Sequence, residues 1–137
     1  MRELIGKTIR AIFVAPGEER LVFETDEGRI VYDVTSDCCS ETWFSDILGV
    51  EALIGATVAT AEEAVPDNYN VDDGRGRQES DEVYGWKLTT NFGHSDIIFR
   101  NSSNGFYGGS CYAVSDAVVI ANVDTTAMVQ IATDWKA

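Results

Sequence analysis

Three short runs of β-branched and apolar residues, each closed by a turn signal, fill the first quarter of the chain and commit it to antiparallel sheet. Thr8 to Val14 ends at Pro16-Gly17. Arg20 to Thr25 (R-L-V-F-E-T) leads into Asp26-Glu27-Gly28, and Arg29 to Val34 (R-I-V-Y-D-V) returns. Links this short cannot make the crossover that parallel strands need. Gly28 supplies the positive φ of a hairpin turn. The N-terminal third is therefore predicted to be a meander.

The next stretch changes character. Ser36 and Asp37 can cap a helix, Cys39, Trp43 and Ile47 recur every four residues, and Gly49 closes the pattern. Val50 to Ile54, ended by Gly55, fits one more helical turn. Thr57 to Glu63 returns to strand. Val83 to Thr90 and Ser95 to Arg100 form a hairpin about Asn91-Phe92-Gly93, and a last strand falls near Cys111 to Val114. Val118 to Ile120 and Met128 to Ile131 fit edge strands. The fold class expected is α+β: mainly antiparallel β-sheet, with two short helices between the third and fourth strands. The string L-I-G-x-T-[IV] occurs at Leu4–Ile9 and again at Leu53–Val58, which fits either two equivalent corners on one sheet or coincidence.

At 137 residues the chain has room for one domain and one core. Within it, 62–82 is expected to be an acidic mobile excursion and 115–137 a C-terminal extension. Ten Lys and Arg against 23 Asp and Glu leave a formal charge of −13, a field that repels DNA, RNA and anionic lipid. Residues 62–82 hold eight of the acids against Arg75 and Arg77. No apolar run is long enough for a membrane span, and the N-terminal residues lack the apolar region of a signal peptide. Three cysteines, two of them adjacent (Cys38 and Cys39), with one histidine, suit a reducing cytosol better than a disulfide frame or a closed zinc site.

Several chemistries have weak support. Asn68, Asn70, Asp72 and Glu79 fall in an EF-hand register, but the glycine comes one place late at Gly74, and no helix pattern flanks the loop. No metal and no cofactor is expected. His94 beside Gly93 lacks the context of a catalytic centre. The richest segment is F-R-N-S-S-N-G-F-Y-G-G at residues 99–109. Its glycines let backbone approach a ligand, Arg100 offers a planar fork for phosphate, Asn and Ser can read ribose or base edges, and Phe92, Phe106, Tyr107 or Trp43 offer a ring for stacking. The same residues also suit a structural turn in which Asn and Ser bond their own backbone and the aromatics plug the core. Arg20 and Arg29 are expected to lie close together as a second basic spot.

The strings L-I-G-K-T-I (4–9), D-C-C-S-E-T-W-F (37–44), V-E-A-L-I-G (50–55) and the 99–109 segment together resemble a family of small bacteriophage and prophage proteins. Its characterised members are the first-described Thoeris anti-defence proteins, sponges that bind cyclic nucleotide immune signals and hold them uncleaved. The similarity runs over roughly residues 1 to 114. It implies an antiparallel sheet with two short helices and a homodimer-based assembly that can reach a hexamer. It also implies cyclic ADP-ribose isomers bound between subunits, with cyclic di- or trinucleotides at a separate site in some members. By motif it points to Phe92, Arg100, Asn101, Ser102, Ser103, Asn104 and Tyr107 as ligand-binding residues, with no catalytic residue, in the cytoplasm of the infected bacterium. Two other readings stand beside it. One is an acidic inhibitor whose 62–82 segment mimics nucleic acid to block a host protein; the other is a structural or regulatory phage protein with no ligand.

Overall fold

The computed structural model describes residues 1–37, 39–67, 80–103 and 108–136. The N-terminal meander is as expected: β1 (Ile9–Val14), β2 (Arg20–Thr25) and β3 (Gly28–Ser36) pair antiparallel in sequence. The chain then crosses to a second sheet as β4 (Glu41–Leu48). A single 3-10 turn at Val50–Ala52 leads to β5 (Val58–Glu63), and a second meander follows through β6 (Ser80–Thr90) and β7 (Gly93–Ser103). From β7 the chain crosses back as β8 (Gly109–Ala113), which pairs with β3. A six-residue helix, α1 (Ala117–Asn122), and a two-residue strand, β9 (Val129–Gln130), complete it. The sheet orders are β8-β3-β2-β1-β9 and β4-β7-β6-β5. Both sheets contribute to one apolar cluster, from Ile12, Leu21, Phe23 and Tyr32 on one side to Phe44, Leu88, Ile97 and Phe99 on the other.

The fold is thus mainly antiparallel β, but the two helices expected between the third and fourth strands are not there. Residues 41–48 form strand β4, and only the 3-10 turn remains of the second helix. The cause is burial on both faces. Six consecutive residues of β4, Thr42 to Ile47, are buried, which erases the alternation that marks a half-exposed strand. A bulge at Ser45 then shifts the strand's parity. The run Val118-Val119-Ile120, expected as an edge strand, lies in α1 instead. The carboxylate of Asp116 accepts the amides of Val118 (2.9 Å) and Val119 (3.3 Å), an N-cap that outweighs the β-branched run. Cys38, the EF-hand register at Asn68, Asn70, Asp72 and Glu79, and most of the expected excursion lie outside the described residues.

The repeated L-I-G-x-T-[IV] string marks an internal two-fold relation between the two sheets. Gly6 N–H donates to Val58 C=O (2.8 Å) and Gly55 N–H to Ile9 C=O (2.7 Å); Val58 N–H donates to Lys7 C=O and Ile9 N–H to Ala56 C=O, both at 3.0 Å. Thr8 and Thr57 pair as a bridge, their hydroxyls 2.8 Å apart. The equivalence extends beyond the corner. Thr8 N–H donates to Asp26 Oδ1 and Thr57 N–H to Asn91 Oδ1 (2.9 and 3.0 Å), each from a T-x-x-G hairpin turn, Thr25–Gly28 or Thr90–Gly93. Ala15 N–H to Arg20 C=O matches Ala64 N–H to Gly85 C=O, both at 3.0 Å. Each half is therefore a three-stranded meander whose fourth strand joins the other half's sheet.

The segment after β8 belongs to neither half. Arg29 Nη1 donates to the carbonyls of Ile120 (3.1 Å) and Val123 (2.8 Å), β9 pairs with β1, Ile131 is buried, and Trp135 exchanges two backbone bonds with Ile47. Among the described residues, no helix is long and apolar enough to cross a membrane. Gly6 and Gly55 hold φ of +84° and +83° at equivalent corners. Replacing either by Ala is expected to cost about 1 kcal/mol, and the two costs should match, as read from denaturant midpoints.

Candidate functional site

The R-N-S-S segment is strand, so its residues point to opposite faces in turn. Ile97 and Phe99 join the core cluster. Arg100 and Ser102 therefore face away from it, and Arg100 stands in register between Trp43 and Val83. It is 1% exposed, and Asp46 (5% exposed) and Glu41 occupy neighbouring positions on the same face. Asn101 faces inward, where its Oδ1 accepts the Thr42 hydroxyl at 2.8 Å in a buried bond. Ser103 is likewise buried on that side. The expected single corner is thus split across a sheet. Phe92, at the β6–β7 turn, is 63% exposed, and eight residues along an extended strand place it about 26 Å from Arg100. Within one chain it lies too far off to stack on a ligand held at Arg100. Asn104, Phe106 and Tyr107 lie outside the described residues. Nor do Arg20 and Arg29 converge. Arg20 binds Asp33 through two hydrogen bonds (2.6 and 2.8 Å) and Arg29 binds Glu24 (2.8 Å), at opposite ends of the same ladder.

A cavity of about 470 Å³ lies elsewhere, in the seam between β6 and β8. Tyr84, Trp86 and Phe99 wall it on one side, and Gly109, Ser110 and Cys111 on the other; Glu63, Ala64 and Val65 line its end. Tyr84 stacks on Phe99 with centroids 5.0 Å apart and planes 16° off parallel. The Tyr84 hydroxyl donates to the Glu82 carboxylate and takes a bond from the Gly109 amide. Burial, then the Glu82 bond, hold its pKa above the usual phenol value. Burial also pushes the Cys111 thiol up to about 12. The Arg2 guanidinium lies 5.5 Å from the Trp86 ring centroid, a cation–π distance. A smaller hollow of about 300 Å³, bordered by Arg2 and Tyr32, shares Trp86 and Cys111 with the cavity. Among the described residues no cluster of His, Cys, Asp and Glu could hold a metal ion.

Residues 2–113 match a family described as Domain of unknown function (DUF7448). The chain belongs to this family. No curated protein and no solved structure matches it. The matched span covers both halves and ends at the last residue of β8; α1 and β9 lie beyond it.

The internal two-fold shows how this cavity of the DUF7448 domain differs from the hollows of about 400 and 310 Å³ at the corresponding edge of the first half. The inward residues of β8 are Gly109, Cys111 and Ala113; their counterparts on β4 are Thr42, Phe44 and Ile47. In the first half the Phe44 amide donates to Glu18 C=O at 2.7 Å, which closes the seam beside β2. In the second half the equivalent residues, Cys111 and Val83, both line the cavity, and the seam stands open. Bulk has moved to the facing wall, where Trp86 and Phe99 replace the Leu21 and Val34 of the first half. Small residues opposite large rings leave a slot that packing does not fill. Sequence reading missed this site because its walls come from β5, β6, β7 and β8 and from the residues after β5, far apart in the chain. The signal was present as G-G-S-C at 108–111, which pairs with no bulky run of its own.

A thiol with its pKa raised to about 12 carries almost no thiolate at neutral pH. Cys111 is expected to alkylate at least roughly tenfold more slowly than exposed Cys39 in the native protein, and to catch up on denaturation, as followed by peptide mass spectrometry.

Proposed function

We propose that this DUF7448 protein binds a small cyclic nucleotide in the cavity between β6 and β8 and retains it uncleaved. In this reading it sequesters a cyclic ADP-ribose isomer or a cyclic oligonucleotide immune signal for an infecting phage, in the bacterial cytoplasm, as a homodimer or a hexamer built from it. The supporting observation is the slot itself: about 470 Å³, within the usual range for small-ligand sites, with one aromatic wall and one wall of small residues and backbone.

A base that enters the slot meets the rings of Tyr84 and Trp86, and stacking of this kind contributes about 1–3 kcal/mol per base. By strand alternation the Cys111 amide points the same way as that of Gly109, toward β6, so the small wall offers a backbone donor as well. Arg2, beside Trp86, is placed to meet a phosphate at the mouth. Arg100 contributes from behind: a buried cation on the far face of β7 steadies the strand that carries Phe99. Sequestration at a Kd of 1 nM needs about 12 kcal/mol. Stacking of one base and a charge-assisted bond to Arg2 supply about 3–6 kcal/mol of it, and contacts along the ribose and pyrophosphate supply the rest.

The first half of the molecule supplies the test. Cys111→Phe copies Phe44 into the open seam, so the variant is expected to fold while losing at least about a hundredfold in affinity by calorimetry. Arg2→Ala should weaken binding roughly tenfold. Ligand released from denatured wild-type protein should be chemically intact; an altered product would make the protein an enzyme. Activity lost on neutralising Asp67, Asp72, Asp73 and Glu79, with Cys111→Phe harmless, would favour the acidic inhibitor.

A further inference from the structure

We infer that Glu63 reads the base in this slot and selects a guanine-type edge, one with two adjacent N–H donors. The inference rests on the cavity being the nucleotide site, and of the two ligand classes proposed above it favours a guanine-bearing cyclic oligonucleotide over a cyclic ADP-ribose isomer, whose base is adenine. On β5, Ala61 and Glu63 pair with Leu88 and Trp86 of β6, both core residues, so Glu63 is on the cavity side of its strand and lines the cavity's end, where it is exposed. Its counterpart in the first half is Val14, a core residue 1% exposed. The two halves therefore differ by a carboxylate at this position, and only the half with the open seam carries it.

Among the described residues the Glu63 carboxylate makes no hydrogen bond and no ion pair, so the fold does not consume it. The nearby Met1 ammonium, which feels its charge, pairs with Glu3 at 3.9 Å. An ionised carboxylate only accepts hydrogen bonds. Guanine presents N1–H and the 2-amino group side by side, which a carboxylate can take as a pair of parallel bonds. Adenine presents N1, an acceptor, beside its 6-amino group, and so sets a lone pair against one carboxylate oxygen. Hypoxanthine keeps N1–H but lacks the amine. A base stacked against Tyr84 and Trp86 sets that edge against the carboxylate, so the mismatched lone pair costs affinity that the matched pair of bonds keeps.

Calorimetric titration with GMP, IMP and AMP, which share one sugar and one phosphate, isolates the base. GMP is expected to bind at least tenfold tighter than AMP, with IMP between. Glu63→Gln replaces two acceptors by one acceptor and one donor, the complement of the adenine edge. It should weaken GMP, strengthen AMP and reverse the order, with an unchanged melting temperature showing that the fold is intact. Equal affinity for GMP and AMP in both proteins would overturn the assignment of Glu63 while leaving a base in the slot. Binding of none of the three nucleotides would overturn the nucleotide reading as well. Binding of tetramethylammonium instead, abolished by Glu63→Gln, would make the slot a cation site walled by Tyr84 and Trp86 and overturn both.

Discussion

Four backbone hydrogen bonds join the two glycine corners from which this protein's two halves start. Gly6, Lys7 and Ile9 exchange them with Val58, Ala56 and Gly55, and the geometry repeats across the two-fold to within a tenth of an ångström. Each corner launches the first strand of a meander, so the corner sets where both sheets begin. The fourth strand of each half then leaves its own sheet and completes the other. Neither half can close a core without its partner: β4 without β7, and β8 without β3, would be lone strands with unpaired backbone.

That arrangement lets the halves diverge while the frame stays fixed. Backbone bonds hold the corners and the hairpin turns, and those bonds do not depend on which side chains fill the interior. In one half Thr42, Phe44 and Ile47 seal the interior; in the other Gly109, Cys111 and Ala113 leave it open while Trp86 and Phe99 crowd the far wall. A carboxylate, Glu63, takes the place of Val14. A site of this kind costs little stability, because the sealed half and the C-terminal strap over β1 and β4 carry the packing. Pairing by β9 covers the outer edge of β1, and Ile131 adds a side chain to the core that the second half does not receive from any such segment.

The electrostatics follow the same division. Arginines that composition alone offers for a ligand are largely taken up by the fold: Arg20 by Asp33, Arg29 by Glu24 and by the carbonyls beyond α1. Arg100 is buried within a sheet face that also carries Asp46 and Glu41. In a chain of net charge −13, cations are scarce and carboxylates abundant, and Arg20 and Arg29 both end in structural pairs. Arg2, among the described residues, lies over Trp86 and borders the smaller hollow next to the cavity.

The meanders were legible in the sequence, because turn residues and β-branched runs act locally: Asp26-Glu27-Gly28 and Asn91-Phe92-Gly93 both make the hairpins they announce. The repeated L-I-G-x-T-[IV] string was legible as a likeness, but only tertiary structure showed it to be two corners bonded to each other across two sheets. Strand β4 was hidden because burial on both faces removes alternation, leaving a spacing of four that a helix also satisfies. The R-N-S-S segment advertised a binding corner through its composition, yet a strand sends neighbouring side chains to opposite faces, and that separation is invisible until the backbone is extended. The cavity could not be read at all. It exists because residues distant in the chain, Glu63, Tyr84, Trp86 and Cys111, meet where one copy of a repeated plan lost the bulk that the other kept, and only the folded chain brings the two copies side by side.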